Sequence, residues 1–161
     1  MGDISQYWDL VKQKSAEHKL DPCLVSAIIL TESGGDEAAV RFEPAYRWLY
    51  TPDKVRPASC SKNTEQNLQK TSWGLMQIMG AVARERGFRG WLTLLLQPEN
   101  NIEYGCRHVR HLFDRPWDMS DVIAAYNFGS PIRTPSGAYR NQRYVDSVLG
   151  YFKNTKARQN D

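Results

Sequence analysis

The segment Asp21-Pro-Cys-Leu-Val-Ser-Ala-Ile-Ile-Leu-Thr-Glu-Ser-Gly-Gly35 constrains this chain more than any other. Asp21 supplies an N-cap and Pro22 sits in the first turn, so a helix begins there. Gly34-Gly35 ends it. Between these signals the residues are apolar nearly all round instead of on one stripe. Such a helix is stable only when covered on every side, so the fold is expected to wrap around it. It is not a membrane span, because Leu24–Leu30 is far short of the ~18 apolar residues required and is interrupted by Ser26.

The rest of the chain supplies the wrapping. Ile4, Tyr7, Trp8, Leu10 and Val11 recur at helical spacing, which predicts an amphipathic helix over 4–19. Residues 36–72 are irregular, broken by Pro44, Pro52 and Pro57, with short helices expected at 44–50 and 63–69. A second helical half follows at 75–86, 91–96, 99–114, 119–128 and 140–154, with Ser120 and Asp121 as an N-cap for the fourth of these. No stretch alternates with period two, so at most a short β-hairpin fits, in the irregular part. The expectation is a mostly α fold around a central buried helix, with 1–161 forming a single domain of ordinary size. The 41% apolar and 24% charged composition excludes a disordered chain or a small disulfide scaffold. Three widely spaced cysteines, Cys23, Cys60 and Cys106, read as reduced thiols.

Chemistry has few places to sit. There is no P-loop and no GxGxxG, so nucleotide chemistry is not indicated, and no GxSxG elbow for a serine nucleophile. Cys106, His108 and His111 share a segment, but neither a second cysteine pair nor HExxH accompanies them, and they read as packed or solvated. Glu32 stands apart because it closes the apolar helix beside a flexible Ser-Gly-Gly break. Desolvation and the negative end of the helix dipole both favour its protonated form, which suits a general acid near neutral pH. The bland alternative is a helix-ending glutamate turned to solvent.

Two further clusters bear on that choice: Gly74-Leu-Met-Gln-Ile78 and Ala124-Ala-Tyr-Asn-Phe-Gly129. Together with Glu32-Ser33, Asn101-Ile-x-x-Gly105 and Tyr144-Val-x-x-Val148 they form an ordered set over roughly 20–152. The set resembles the soluble lytic transglycosylases, relatives of goose-type lysozyme. The resemblance implies a lysozyme-like fold with a cleft for peptidoglycan glycan strands. It also implies cleavage between N-acetylmuramic acid and N-acetylglucosamine. Carried over, Glu32 would be the catalytic acid and then base, and Tyr126 would hydrogen-bond to it and orient it. Ser33 would support the catalytic turn, Gln77 and Asn127 would hold sugar groups, Met76 would pack beneath, and Tyr144 would be cleft wall or core. Asn101 and Gly105 would be structural.

The chain departs from the family pattern in two ways. Thr71-Ser72-Trp73 replaces a small Gly-Ala pair, and about forty residues part Glu32 from Gly74. The added stretch carries Asp36, Glu37, Glu43 and Asp53, so a hydrolytic muramidase using one of them is the alternative. A non-catalytic wall-binding protein is a more distant one. The 36–72 insert is expected to form a cleft wall, its aromatics either stacking on sugars or building a satellite core. The chemistry asks for no metal or organic cofactor. The net charge of +3 suits an anionic wall polymer, and the basic tail around Lys153, Lys156 and Arg158 does not amount to a nucleic-acid site. No stable membrane association is expected, and a monomer is. The N-terminus has no secretory pattern. Synthesis in a host cytoplasm and later action on the wall are therefore expected, as for a bacteriophage endolysin.

Overall fold

The computed structural model describes residues 3–159. A 3-10 turn at Ser5–Tyr7 leads into α1 (Trp8–Glu17), and α2 (Pro22–Glu32) follows. Asp21 caps α2 by accepting the Cys23 amide at 2.9 Å. Seven consecutive residues of α2, Cys23 to Ile29, are buried. Each fully buried aliphatic among them contributes ~1.5–3 kcal/mol. The helix is wrapped by α1, by α6 (Pro98–Phe113), by α7 (Met119–Phe128) and most extensively by α8 (Gln142–Gln159). α8 runs on past 154 to Gln159, and no described helix is long and apolar enough to cross a membrane.

The 36–72 region is ordered by long-range contacts that local sequence does not announce. It contains β1 (Val40–Phe42), α3 (Pro52–Val55) and α4 (Lys62–Gln69), and leads into β2 (Thr71–Trp73). β2 and β3 (Ile78–Met79) form a hairpin, and β1 pairs antiparallel with the other edge of β2, Arg41 opposite Ser72. The helix expected at 44–50 does not form. A turn at Pro44–Ala45 leads into irregular backbone instead, and Gln69 grips Tyr50 from both sides: Tyr50 N donates to Oε1 at 2.7 Å and Nε2 donates to Tyr50 O at 3.0 Å. Gln69 in turn donates to Glu65, whose carboxylate receives Arg84 Nε at 2.8 Å and a terminal nitrogen at 3.0 Å. Glu65 and Arg84 are both fully buried, and they bolt α4 to α5 (Gly80–Glu85).

The helix expected from residue 75 starts only at Gly80. Gln77 takes a left-handed φ of 46°, which breaks any helix there, and Ile78–Met79 is drawn into the sheet. At α7 the cap is Asp118, not Ser120, with Asp121 completing a capping box. A 3-10 turn at Leu92–Leu96 and the residues Trp73, Ile78, Ala83 and Phe88 make a second, smaller core under the sheet. All three cysteines are free and buried, in α2, before α4 and in α6.

Candidate functional site

The end of α2 and the turn between β2 and β3 meet at Glu32. Ser33 links them: its hydroxyl donates to Leu75 O at 2.8 Å and accepts the Gly35 amide at 3.2 Å. The Gly74–Gln77 turn is held from below by Asn101. Its amide nitrogen donates to Trp73 O and Leu95 O, and its oxygen accepts the Met76 amide at 2.7 Å. Gly74 has a φ of 63°, and a Cβ there would strike the Asn101 side chain, so glycine is required twice over. Met76 is fully buried and lies on Gly105, where a side chain would collide with its sulfur. Asn101 and Gly105 thus do the structural work expected of them. Gln77 holds the turn as well, donating to Ala39 O and Gly74 O, so its amide nitrogen is committed to backbone.

Glu32 is half-buried and receives one hydrogen bond, from the Tyr144 hydroxyl at 2.6 Å. Burial pushes its carboxyl up to about 7, while the Tyr144 hydrogen bond and the Arg41 charge pull it partly back. The tyrosine expected in this role was Tyr126. The Tyr126 hydroxyl instead donates to Met76 O at 2.7 Å, so it fixes the turn and not the carboxyl. The exchange has a geometric cause. Tyr144 lies in the first turn of α8, the helix most closely packed on α2, and reaches Glu32 at the C-terminal end of α2. Both phenols are held neutral, well above their usual range, by burial and by the neighbouring Glu32 charge.

Glu32 opens into a cavity of about 230 Å³ that Tyr126, Gln77, Asn127, Arg41, Glu43 and Tyr46 also line. Past Tyr46, His108 and Tyr126 the cavity continues into a wider groove of about 810 Å³. Trp48, Trp117, Phe128 and Ile132 line that arm, and Trp48 is 65% exposed. Tyr46 and Trp48 therefore form groove wall, not a satellite core. Asn127 is exposed and accepts from Asn141, which joins the end of α7 to the start of α8.

Of the four insert carboxylates named as candidates, Asp36, Glu37, Glu43 and Asp53, Glu43 alone lines the Glu32 cavity, and it is paired with Arg41 at 2.7 Å. Glu37 accepts from Tyr7, Asp53 pairs with Lys62, and Asp36 caps its own turn by accepting the Ala38 amide. Cys106, His108 and His111 bring no set of three metal-ligating atoms together among the described residues. Glu17, His18 and Glu103 do, on the outer face of α1 and α6. Lys14 and Arg107 already neutralise Glu103 there, at 3.1 and 2.7 Å.

Arg41 is a site residue that the sequence reading did not name, and His108 is one that it read as packed or solvated. Arg41 was obscured because a three-residue strand shows no alternation. His108 carried a usable signal, since Asn101, Gly105 and His108 recur at i, i+4 and i+7 and so share one helix face.

Comparison with known proteins agrees with this architecture. A protein named Transglycosylase, from Enterobacteria phage PRD1, is 27% identical over 130 residues. The alignment covers 81% of this chain and 37% of that protein, so this chain spans little more than a third of its relative's length. The family model described as "Transglycosylase SLT domain" matches residues 9–144, from the second residue of α1 to Tyr144. That span holds the buried helix and the residues around the cavity as far as Tyr144, and the chain belongs to the transglycosylase SLT domain family.

Proposed function

We propose that the chain is a peptidoglycan lytic transglycosylase that cuts the β-1,4 bond between N-acetylmuramic acid and N-acetylglucosamine. The observation that carries this reading is a single desolvated carboxyl, Glu32, held by a tyrosine in a groove lined by aromatic and polar side chains. With its midpoint near 7, Glu32 is protonated in much of the population at neutral pH and can donate to the glycosidic oxygen as that bond breaks. The resulting carboxylate then takes the proton of the 6-hydroxyl of the same muramic acid. That oxygen attacks the anomeric carbon and closes a 1,6-anhydro ring, and no water is consumed. Tyr144 orients the carboxyl throughout. Exposed ring faces at Trp48 and Phe128 suit the C–H faces of sugars. Neither a metal nor an organic cofactor enters these steps.

The competing chemistry is hydrolysis, which needs a second carboxylate ~5–9.5 Å from the first, as nucleophile or as base for water. Glu43 is the residue placed to serve, and its pairing with Arg41 counts against it. Wall opening during phage infection is the setting proposed for this activity, by analogy with the phage relative. Mass spectrometry of muropeptides after digestion, with borohydride reduction to count reducing ends, tests the reading. Anhydro-muramic ends are expected. Predominantly reducible ends would make the protein a muramidase and Glu43 its first suspect.

A further inference from the structure

The groove has two arms of different character, meeting at His108 and Tyr126, whose rings lie 5.5 Å apart. The narrow arm holds Glu32 and the backbone-bound Gln77. The wide arm is basic: Arg86 and Arg115 line it, against the one carboxylate of Glu85. Two buried polar atoms on this wall, His108 Nδ1 and Arg86 Nε, have no hydrogen-bond partner among the described residues. The Arg86 side chain is only 16% exposed, and its one ion pair is with the adjacent, solvent-facing Glu85 at 3.1 Å. A largely buried guanidinium with an idle nitrogen is costly unless something completes it. Burial, aided by Arg86 and His111, holds the His108 imidazole neutral, so it offers one donor and one acceptor.

Bare glycan answers this wall poorly, because the sugars of a peptidoglycan strand are themselves uncharged. The acidic groups of the polymer sit on the short peptide attached to each muramic acid. A peptide alternates amide groups, which match a neutral imidazole, with carboxylates, which match a guanidinium. Its alanine methyl groups fit the apolar side chains of Trp117 and Ile132 in the same arm. Resting on the glycan reading above, we propose that the wide arm binds the carboxylate-bearing stem peptide of the strand, with Arg86 and His108 as its polar contacts. The site then selects peptide-substituted glycan over stripped glycan.

The test is binding to the Glu32→Gln protein of two ligands, oligomeric strands with their stem peptides and the same strands stripped by an amidase. Stem-bearing strands are expected to bind about tenfold tighter, with the ratio shrinking as salt rises. In the Glu32→Gln background, Arg86→Gln should reduce the ratio to about twofold or less, Arg86→Lys should retain most of it, and His108→Phe should lower it. Melting curves check each fold. If Arg86→Gln does not fold, Arg115→Gln on the exposed side of the arm carries the same expectation. Equal, tight binding of both strands overturns this proposal alone, as does a preference that survives all of these variants. Binding of neither strand overturns the glycan reading beneath it.

Discussion

Glu32 carries the pH behaviour of the molecule, and the sign of its effect follows from its environment. Its midpoint rises from 4.5 to about 7 on folding, so the native state favours the protonated carboxyl. The stability linked to this proton is complete below about pH 4.5 and is lost as pH rises through about 7. Glu32→Gln should therefore abolish wall lysis and also stabilise the fold, by about 3 kcal/mol at pH 8 and under about 1 at pH 5. Thermal melts at the two pH values check it, and a gap independent of pH would mean Glu32 is not desolvated. Tyr144→Phe should lower turnover ~10–100-fold and move the alkaline limb of the rate profile upward, since its hydrogen bond favours the ionised form. Tyr126→Phe should leave that limb in place and cost about 1 kcal/mol of stability, because its hydroxyl serves Met76. The sequence displayed both tyrosines. It could not tell which one reaches the carboxyl, because that depends on how α8 lies against α2, a contact between residues 112 positions apart.

Among the elements, α4 is the one whose purpose only the structure discloses. Its sequence, Lys62 to Gln69, is wholly polar apart from Leu68, and it reads as a solvated helix. Glu65 and Gln69, one turn apart, instead face inward to Arg84 and to the Tyr50 backbone. Removing one partner strands the other, so Arg84→Met should cost ~3–5 kcal/mol in denaturant unfolding. The double replacement Glu65→Leu with Arg84→Met should recover much of that loss. Because the same network pins Tyr50, the Tyr46–Trp48 wall should loosen in the single variant and weaken glycan binding. Trp48→Ala makes the opposite pairing of effects. Trp48 is 65% exposed, so its loss should change stability by less than ~0.5 kcal/mol while lowering glycan affinity severalfold. A large drop in melting temperature for Trp48→Ala would move it from groove wall to core.

At the scale of the whole molecule, the legible part of the fold was the part built from local signals. Asp21-Pro22 and Gly34-Gly35 bracketed α2 because caps and glycine stops act within a few residues. A short hairpin lay within what the sequence allowed, but the third strand was hidden because β1 meets β2 across some thirty residues and neither strand exceeds three. The Gln77 turn was hidden for a similar reason: nothing in Leu-Met-Gln-Ile announces a left-handed residue, and Asn101 imposes it from another helix. The same tight enclosure decides the fate of the sulfur atoms. Cys23, Cys60 and Cys106 lie in separate elements and are at most 3% exposed, and burial pushes the Cys106 thiol up to about 12. Thiol oxidation and disulfide exchange begin with an accessible thiolate, and the folded chain presents none of the three for attack. Passage from reducing to oxidising surroundings would therefore leave its covalent structure as it was made, and only unfolding would arm its cysteines.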